Sequence, residues 1–184
     1  MFALYLPENL HENLQNMTNA PNERCGIIIA ANVKDSIIGL AALIEGIGTA
    51  GEVTQSGAEV AFMYNFADTT SLHEDFKLVP FHTHTIETIR QFGDCYRGNF
   101  SESDVKSIRG IYKATNKVVN AHLLLSHKSR PVVAYMEDGL ILDGFYGVKK
   151  FTEEGIRTGQ KLLGEFIFQL GAKRELSFNS IYNL

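Results

Sequence analysis

The strongest constraint on the fold of this chain is a pair of apolar, β-rich segments that follow each other almost directly. Residues 25–33 and 36–44 consist mainly of isoleucine, alanine, leucine and glycine, and the two residues Lys34 and Asp35 separate them. Segments of this composition joined by a two-residue connection predict a β-hairpin. Because both segments are apolar along most of their length, we expect the hairpin strands to be largely buried.

The rest of the chain alternates between further β-rich segments and segments with helical periodicity. Asp138-Gly139 lies between two β-rich segments and is typical of a tight hairpin turn. Pro7 precedes apolar residues at helical spacing, as in the first turn of a helix. Loops are expected at residues 45–58 and 85–99. The other predicted strands are residues 60–64, 78–84, 118–125, 131–136 and 140–146, and the predicted helices start near Pro7, at residue 71, at Ser101 and at residue 151.

This order of elements predicts one α/β domain. The chain has 184 residues, of which 45% are hydrophobic and 21% charged, values close to the average for globular proteins that bury one core. Strands that alternate with three or four helices predict an α/β layer arrangement. The single domain is expected to span residues 1–184, with a core at about residues 21–146 and a closing helix at residues 151–170.

Charge and cysteine usage exclude several classes of function. Seventeen basic and 21 acidic residues give a net charge of -4, and no basic cluster of the kind that binds nucleic acid is present. The apolar residues 37–44 are too few to cross a membrane, and the N-terminus lacks the features of a signal peptide. Cys25 and Cys95 do not form a disulfide framework. We therefore expect a cytoplasmic protein with no nucleic-acid or membrane partner.

A histidine pair lies near the end of the strand predicted at residues 78–84. Side chains alternate between the two faces of a strand, so the imidazoles of His82 and His84 point the same way and can reach one metal ion. Two histidines near a strand end are also an ordinary structural feature. The pair therefore needs a third ligand before it indicates a metal site.

Asp104 is the candidate for that third ligand. It follows Ser101 by three residues at the start of a predicted helix, where the same pattern also serves as a capping box. His82, His84 and Asp104 would give Zn²⁺ three protein ligands and leave its fourth position open for water, as in catalytic sites. Glu23, which precedes a buried strand, is the candidate for the carboxylate that moves the proton of that water.

These residues together resemble a known family. The segment from Pro21 to Gly26, with Glu23 and Cys25 inside it and an apolar strand after it, resembles the N-terminal signature of the JAB/MPN domain. Phe81-His82-Thr83-His84 with Ser101-x-x-Asp104 resembles the JAMM metal motif of that family. The resemblance covers residues 21–144 in order, residue type and predicted secondary structure.

The resemblance implies a zinc metalloprotease or isopeptidase with a cytidine-deaminase-like α/β fold, in which a mixed central sheet is flanked by helices. In it, the counterparts of His82, His84 and Asp104 bind zinc, that of Glu23 is the general acid and base, and that of Ser101 helps to hold the oxyanion. Members of the family remove ubiquitin or ubiquitin-like proteins, process small sulfur-carrier proteins or serve phage tail assembly, so the resemblance implies a peptide or ubiquitin-like protein as substrate. Because the family also contains inactive assembly subunits, a non-catalytic scaffold is the alternative. A complete set of motif residues favours the enzyme.

The chain departs from the family pattern at two places. Thr85 stands where the family usually has proline, and residues 85–100 form a longer connection between the second histidine and the serine than is usual. This enlarged loop is open to four interpretations: a lid, a substrate-selecting insertion, an element for assembly into a homodimer or larger complex, or a tolerated surface insertion. It could also displace Asp104 from the metal.

Two other enzyme classes fit the sequence less well. Cys25 with His122 or His127 would make a cysteine hydrolase, but Cys25 begins an apolar strand, where a small buried thiol is more typical. His122 is interpreted as a core or strand-edge histidine. A nucleobase deaminase would need His-x-Glu and Pro-Cys-x-x-Cys motifs, and the sequence contains neither.

Overall fold

The computed structural model describes residues 1–33, 36–47, 76–171 and 181–183. These residues form eight strands and four helices. The strands are β1 (Ala3–Pro7), β2 (Arg24–Val33), β3 (Ser36–Ile47), β4 (Phe76–His84), β5 (Ala121–Ser126), β6 (Val132–Glu137), β7 (Leu140–Lys149) and β8 (Ile181–Asn183). The helices are α1 (Glu8–Asn16), α2 (Ile86–Phe92), α3 (Glu102–Ala114) and α4 (Glu153–Gly171).

Seven of these strands close into a barrel. The hydrogen-bonded order is β1-β7-β6-β5-β4-β2-β3, and β3 pairs back to β1 through Leu4 with Ile37 and Tyr5 with Ile38. The pairs β1–β7, β4–β5 and β1–β3 are parallel and the others antiparallel, so the barrel is mixed. β8 pairs with β3 beyond the stretch that β1 occupies.

The prediction of a mixed central sheet flanked by helices, in a cytidine-deaminase-like JAB/MPN fold, is therefore wrong. The strand that overturns it is β1, which pairs with β7 on one side and with the start of β3 on the other. In the sequence, Leu6 continues the helical spacing of Leu10 and Leu14, so the residues before Pro7 carry no distinct strand signal. Pro7 instead ends the strand and caps α1.

The barrel interior is filled by side chains from the inner faces of the strands and from α1. Leu10 and Leu14 of α1 are fully buried together with Leu4 and Leu6 of β1. A Cβ atom at Gly39 would collide with the Leu6 side chain, so this glycine allows β1 to approach β3 closely. The interior also contains Ile28, Ala30, Ala42, Val79, Phe81, Ala121, Leu123, Leu125, Val133 and Tyr146.

The outer face of the barrel is covered by α3 and α4. Ile111 of α3 and Phe166 of α4 belong to a buried cluster with Ile27 of β2 and Leu78 of β4. Val79 and Phe81 point into the barrel, so the alternation along β4 turns His82 and His84 to the outer side, where α3 packs. The fold thereby brings the end of β4 and the start of α3 together.

Most of the predicted elements agree with the structure. The β2–β3 and β6–β7 hairpins, β4, β5, α1, α3 and α4 confirm the predictions, and Asp138 and Gly139 both have positive φ, as a tight hairpin turn requires. The loop predicted at residues 85–99 is wrong, because it contains α2 and a 3-10 turn at Asp94–Tyr96. β3 extends to Ile47, into the loop predicted at residues 45–58.

Several predictions lie outside the described residues: the turn at Lys34 and Asp35, the remainder of the 45–58 loop, the strand at residues 60–64 and residues 71–75 of the helix predicted at 71–76. The last residue of that predicted helix, Phe76, begins β4 instead. In the part of the chain that the structure describes, no helix is both long and apolar enough to cross a membrane.

Candidate metal centre

Three potential metal ligands meet where β4 ends and α3 begins. His82 and His84 are buried on the same face of β4, with Nε2 atoms 3.3 Å apart. The carboxylate of Asp104 reaches both rings: Oδ1 lies 3.2 Å from Nε2 of His82, and Oδ2 lies 3.4 Å from Nε2 of His84. Among the described residues, these three form the group of side chains with the composition and spacing to hold a metal ion.

The spacing of these atoms fits a tetrahedral zinc site. Zinc bonds to histidine nitrogen and carboxylate oxygen are about 2.0–2.2 Å long, so tetrahedral ligands lie about 3.3 Å apart. The separations of 3.2, 3.3 and 3.4 Å match this distance. The two carboxylate contacts use different oxygens, of which one would bind the ion, and one ligand atom from each of the three residues lies within 4.8 Å of the others. The two histidines and Asp104 therefore fit a zinc ion and leave its fourth position to water or substrate.

Asp104 is held in place by the start of its own helix. Its Oδ2 accepts a hydrogen bond from the backbone N–H of Ser101 (2.6 Å), and the Ser101 hydroxyl accepts one from the backbone N–H of Asp104 (3.2 Å). The two contacts form a capping box at the N-terminus of α3. Capping and metal-binding geometry thus coexist in one residue. The Ser101 hydroxyl uses a lone pair in this contact, which leaves its proton free to donate.

Both histidines have a partner behind the ring that orients Nε2 toward the shared point. Nδ1 of His84 donates to the backbone carbonyl of Tyr96 (2.7 Å). Nδ1 of His82 lies 3.0 Å from Nε2 of the buried His122. Metal-binding histidines generally use the second ring nitrogen for such a contact. A carbonyl can only accept, so His84 carries a proton on Nδ1 and its Nε2 is the nitrogen that can bind metal.

Glu23 is buried next to this group, just before β2. Cys25 pairs with His82 in the β2–β4 register. The Thr83 hydroxyl accepts a hydrogen bond from the backbone N–H of Arg24 (2.9 Å). These two contacts hold the start of β2 beside the end of β4. The hydroxyl of Thr88 in α2 donates to Oε1 of Glu23 (2.7 Å). The structure therefore brings all five predicted site residues, Glu23, His82, His84, Ser101 and Asp104, to one place.

The charges in the site shift the pKa values of its groups in opposite directions. Burial raises the pKa of Glu23 above its ordinary value, and the Thr88 hydrogen bond and the nearby histidines only partly offset this. Burial alone would also raise the pKa of Asp104, but hydrogen bonds from His82 and His84 hold it well below its usual range. Burial by itself would lower the pKa of His84, but its contacts with Asp104 and the Tyr96 carbonyl and the charge of Glu23 together raise it. Asp104 is thus the anion of the site, and Glu23 is the carboxylate suited to exchange a proton.

Three residues of the site were not identified from the sequence: Thr88, Tyr96 and His122. The first two lie in the stretch interpreted as a loop, and His122 was interpreted as a core or strand-edge histidine. The structure shows that His122 is both buried and in contact with His82. The sequence places His122 on a predicted strand, but no sequence pattern predicts that this strand, β5, pairs with β4.

The other cysteine, acidic and histidine residues near the site lie as follows. Cys25 is buried in β2, in keeping with a structural thiol. Cys95 and Asp94 are exposed, and Asp94 pairs with Arg97 (3.2 Å). His127 is half-buried in the turn after β5, and its backbone N–H donates to the carbonyl of His84 (3.0 Å).

The burial of His122 predicts an acid sensitivity of the metal-free protein. Burial, followed by the charge of His82, lowers the pKa of His122 to about 3, whereas the ordinary value is about 6.5. Between these two pH values, His122 is therefore protonated in the unfolded chain but neutral in the folded chain. Stability from this group is complete above pH 6.5 and falls, as the pH drops toward 3, by roughly 1.4 kcal/mol per pH unit.

We expect His122→Gln to remove this slope, because glutamine does not titrate but still offers an oxygen near the position of Nε2. The measurement is the free energy of unfolding of both proteins in chelator at pH 6, 5 and 4. The other titrating groups of the site are present in both chains, so the difference isolates His122. If the free energies of unfolding of the two proteins changed equally with pH, the pKa of His122 would not be lowered in the folded protein.

Comparison with known proteins identifies neither a family nor a function. No family model matches the chain, and no curated protein matches it. Among solved structures, the chain is similar to the solution structure of protein DSY2949 from Desulfitobacterium hafniense, with 13% sequence identity and a TM-score of 0.45. The similarity covers 82% of this chain and 96% of that one.

Proposed function

We propose that this chain is a zinc-dependent hydrolase that cleaves a peptide or isopeptide bond. The observation that carries the proposal is the meeting of His82, His84 and Asp104 at ligand spacing for a tetrahedral zinc ion. Three protein ligands with a separate buried carboxylate beside them are typical of catalytic zinc sites, whereas structural sites are closed by a fourth protein ligand. Zinc bound here would lower the pKa of a water molecule in its fourth position to about 7.

In the proposed reaction each site residue has one task. His82, His84 and Asp104 hold the cation. Glu23 takes the proton from the attacking water and returns it to the leaving amine, a role to which its raised pKa is suited. The Ser101 hydroxyl, whose proton is not used in the capping contact, donates to the developing oxyanion.

The exposure of the three ligands indicates the side from which substrate enters. The side chains of His82 and His84 are 8% and 3% exposed, whereas that of Asp104 is 19% exposed. Solvent therefore reaches the site from the N-terminal end of α3, where Ser101 also lies. An extended peptide that enters from this end would meet the oxyanion donor and the open metal position together.

The choice of a peptide or isopeptide substrate rests on the resemblance of the two motifs to the JAB/MPN family, because the site geometry supports activation of a water molecule by a metal ion but identifies no substrate. Peptides, ubiquitin-like proteins and small sulfur-carrier proteins are the candidates, and a cytoplasmic location is proposed with them. The closed barrel removes the fold-level support for this family, so the proposal depends on the site residues. A non-catalytic scaffold is the second candidate, because inactive subunits also occur among proteins with these motifs.

Zinc content and zinc-dependent cleavage test the proposal together. We expect purified protein supplied with zinc to retain about one ion per chain, since three ligands are already placed. It should cleave members of a quenched peptide library or ubiquitin-like conjugates, lose this activity in 1,10-phenanthroline and regain it when zinc is added back. A chain that retains no stoichiometric zinc would be a scaffold, and zinc retention without cleavage of any of these substrates would contradict the assigned reaction.

A further inference from the structure

The connection between His84 and Ser101, residues 85–100, contacts the site at two points. Thr88 in α2 donates its hydroxyl proton to Oε1 of Glu23 (2.7 Å). Tyr96 in the 3-10 turn accepts a hydrogen bond from Nδ1 of His84 through its backbone carbonyl (2.7 Å). One contact is to the proposed base and the other to a proposed zinc ligand. The connection thus reaches both working parts of the site.

The hydroxyl of Thr88 belongs to a directed chain of hydrogen bonds. Thr85 and Thr88 are fully buried, and their hydroxyl oxygens lie 3.2 Å apart. Because Thr88 donates its one hydroxyl proton to Glu23, the Thr85 hydroxyl must donate to Thr88. The Thr85 oxygen in turn accepts the backbone N–H of Thr88 (3.3 Å) as the N-cap of α2. Consecutive donors of this kind strengthen one another, so the carboxylate of Glu23 is tied to the start of a helix.

The connection is anchored to the barrel on both sides of these contacts. Ile89 of α2 is buried. The Arg97 guanidinium donates to the backbone carbonyl of His127 (3.1 Å), and the backbone N–H of Gly98 donates to the Ser126 hydroxyl (3.1 Å), both at the end of β5. The ring of Tyr96 also lies 5.4 Å from that of His84, centre to centre. These contacts hold the connection against the barrel and beside the site. They disfavour its interpretation as a lid or as a tolerated surface insertion.

We infer that residues 85–100 are a built-in part of the active site and that Thr88 is a positioning residue that acts through Glu23. This inference rests on the proposed function and extends it. Glu23 has a flexible side chain with several rotamers, and the Thr88 hydrogen bond holds one of its two carboxylate oxygens. The other oxygen would then be the one that exchanges the proton with the water and the leaving amine. Loss of the hydroxyl would leave the base present but badly oriented.

The test compares Thr88→Val with Thr88→Ser. Valine has nearly the shape of threonine but no hydroxyl, so the hydrogen bond to Glu23 is lost. We expect kcat to fall 10- to 100-fold, the range found when a hydrogen-bond partner that orients an active-site side chain is removed. KM and zinc content should change less than about threefold. Serine keeps the hydroxyl and loses only a methyl group, so its kcat should stay within about threefold of wild type. Thr88→Ala, which also lacks the hydroxyl and fits the same space, replaces the valine variant if that chain does not fold.

A double variant shows whether Thr88 acts through Glu23. If it does, adding Thr88→Val to Glu23→Gln should slow the enzyme no further, because the group to be positioned is already inactive. Wild-type kcat in Thr88→Val, an equal loss in Thr88→Ser, or multiplying losses in the double variant would each overturn the inference while leaving the proposed hydrolase intact. Absence of zinc-dependent cleavage by the wild-type protein would instead overturn the proposed function, and the inference with it.

Discussion

Glu23→Gln is expected to bind zinc as wild type does and to lose turnover by roughly 10²- to 10⁴-fold, the range that a general acid and base contributes. Glutamine has the same shape as glutamate, and its amide oxygen can still accept the Thr88 hydrogen bond. It cannot take a proton from water. Since Glu23 is not one of the three ligands, the metal should remain. The measurements are kcat on a cleaved substrate and zinc content of the same preparation.

The same variant should be at least as stable as wild type. Burial raises the pKa of Glu23, which means that the ionised carboxylate is disfavoured in the folded protein at neutral pH. A neutral amide removes that penalty, so the midpoint of thermal unfolding should be equal or higher. Glu12→Gln, on the exposed face of α1, is the matched control and should change neither property. Wild-type turnover in Glu23→Gln would show that another group handles the proton.

Asp104→Asn is expected to lose the metal itself. The carboxylate supplies the negative charge of the site, and its pKa is held well below the ordinary range by the two histidines that it faces. Asparagine keeps an oxygen that can accept the backbone N–H of Ser101, so the start of α3 should survive. We expect zinc affinity to fall by more than about 100-fold. Removing a residue that only hydrogen-bonds to a metal ligand lowers metal affinity 10- to 100-fold, and loss of a ligand should exceed that. Activity at limiting zinc should fall with it.

Stabilisation by zinc provides a readout of this loss that does not require a substrate. A ligand present at 100 times its dissociation constant stabilises the folded state by about 2.7 kcal/mol. Wild type should show a clear zinc-dependent increase in its unfolding temperature, and Asp104→Asn little or none at the same zinc concentration. Glu102→Gln removes a charge from the same helical turn at an exposed position and is the control. Equal zinc stabilisation of Asp104→Asn and wild type would exclude Asp104 as a ligand.

The central residues of the candidate site could be predicted from the sequence because each is tied to a local pattern. Alternation along a strand is enough to turn His82 and His84 to one side, and a capping box is enough to place Asp104 in the first turn of a helix. The meeting of these two elements came from the family resemblance and is present in the structure at 3.2 and 3.4 Å. Zinc binding by these residues stays a prediction.

The outer contacts of the site could not be predicted in the same way. His122 is 40 residues from His82 and Thr88 is 65 residues from Glu23 along the chain. Nothing in the local sequence around His122 distinguishes a partner of a metal ligand from an ordinary buried histidine. The segment that contains Thr88 and Tyr96 is polar and was interpreted as a loop, but the Thr88 hydroxyl and the Tyr96 carbonyl form hydrogen bonds with Glu23 and His84 of the site.

The amino-acid sequence by itself determined the hairpins, most strands and helices, and the identity of the chemical groups, since these depend on periodicity, turn residues and caps within a few positions. Only the tertiary structure decided that the sheet closes. Closure depends on two backbone pairings between β1 and β3, at Leu4 with Ile37 and Tyr5 with Ile38. Backbone hydrogen bonds carry no side-chain signature, so strand partners distant in the chain are chosen by the packing of the whole barrel around α1.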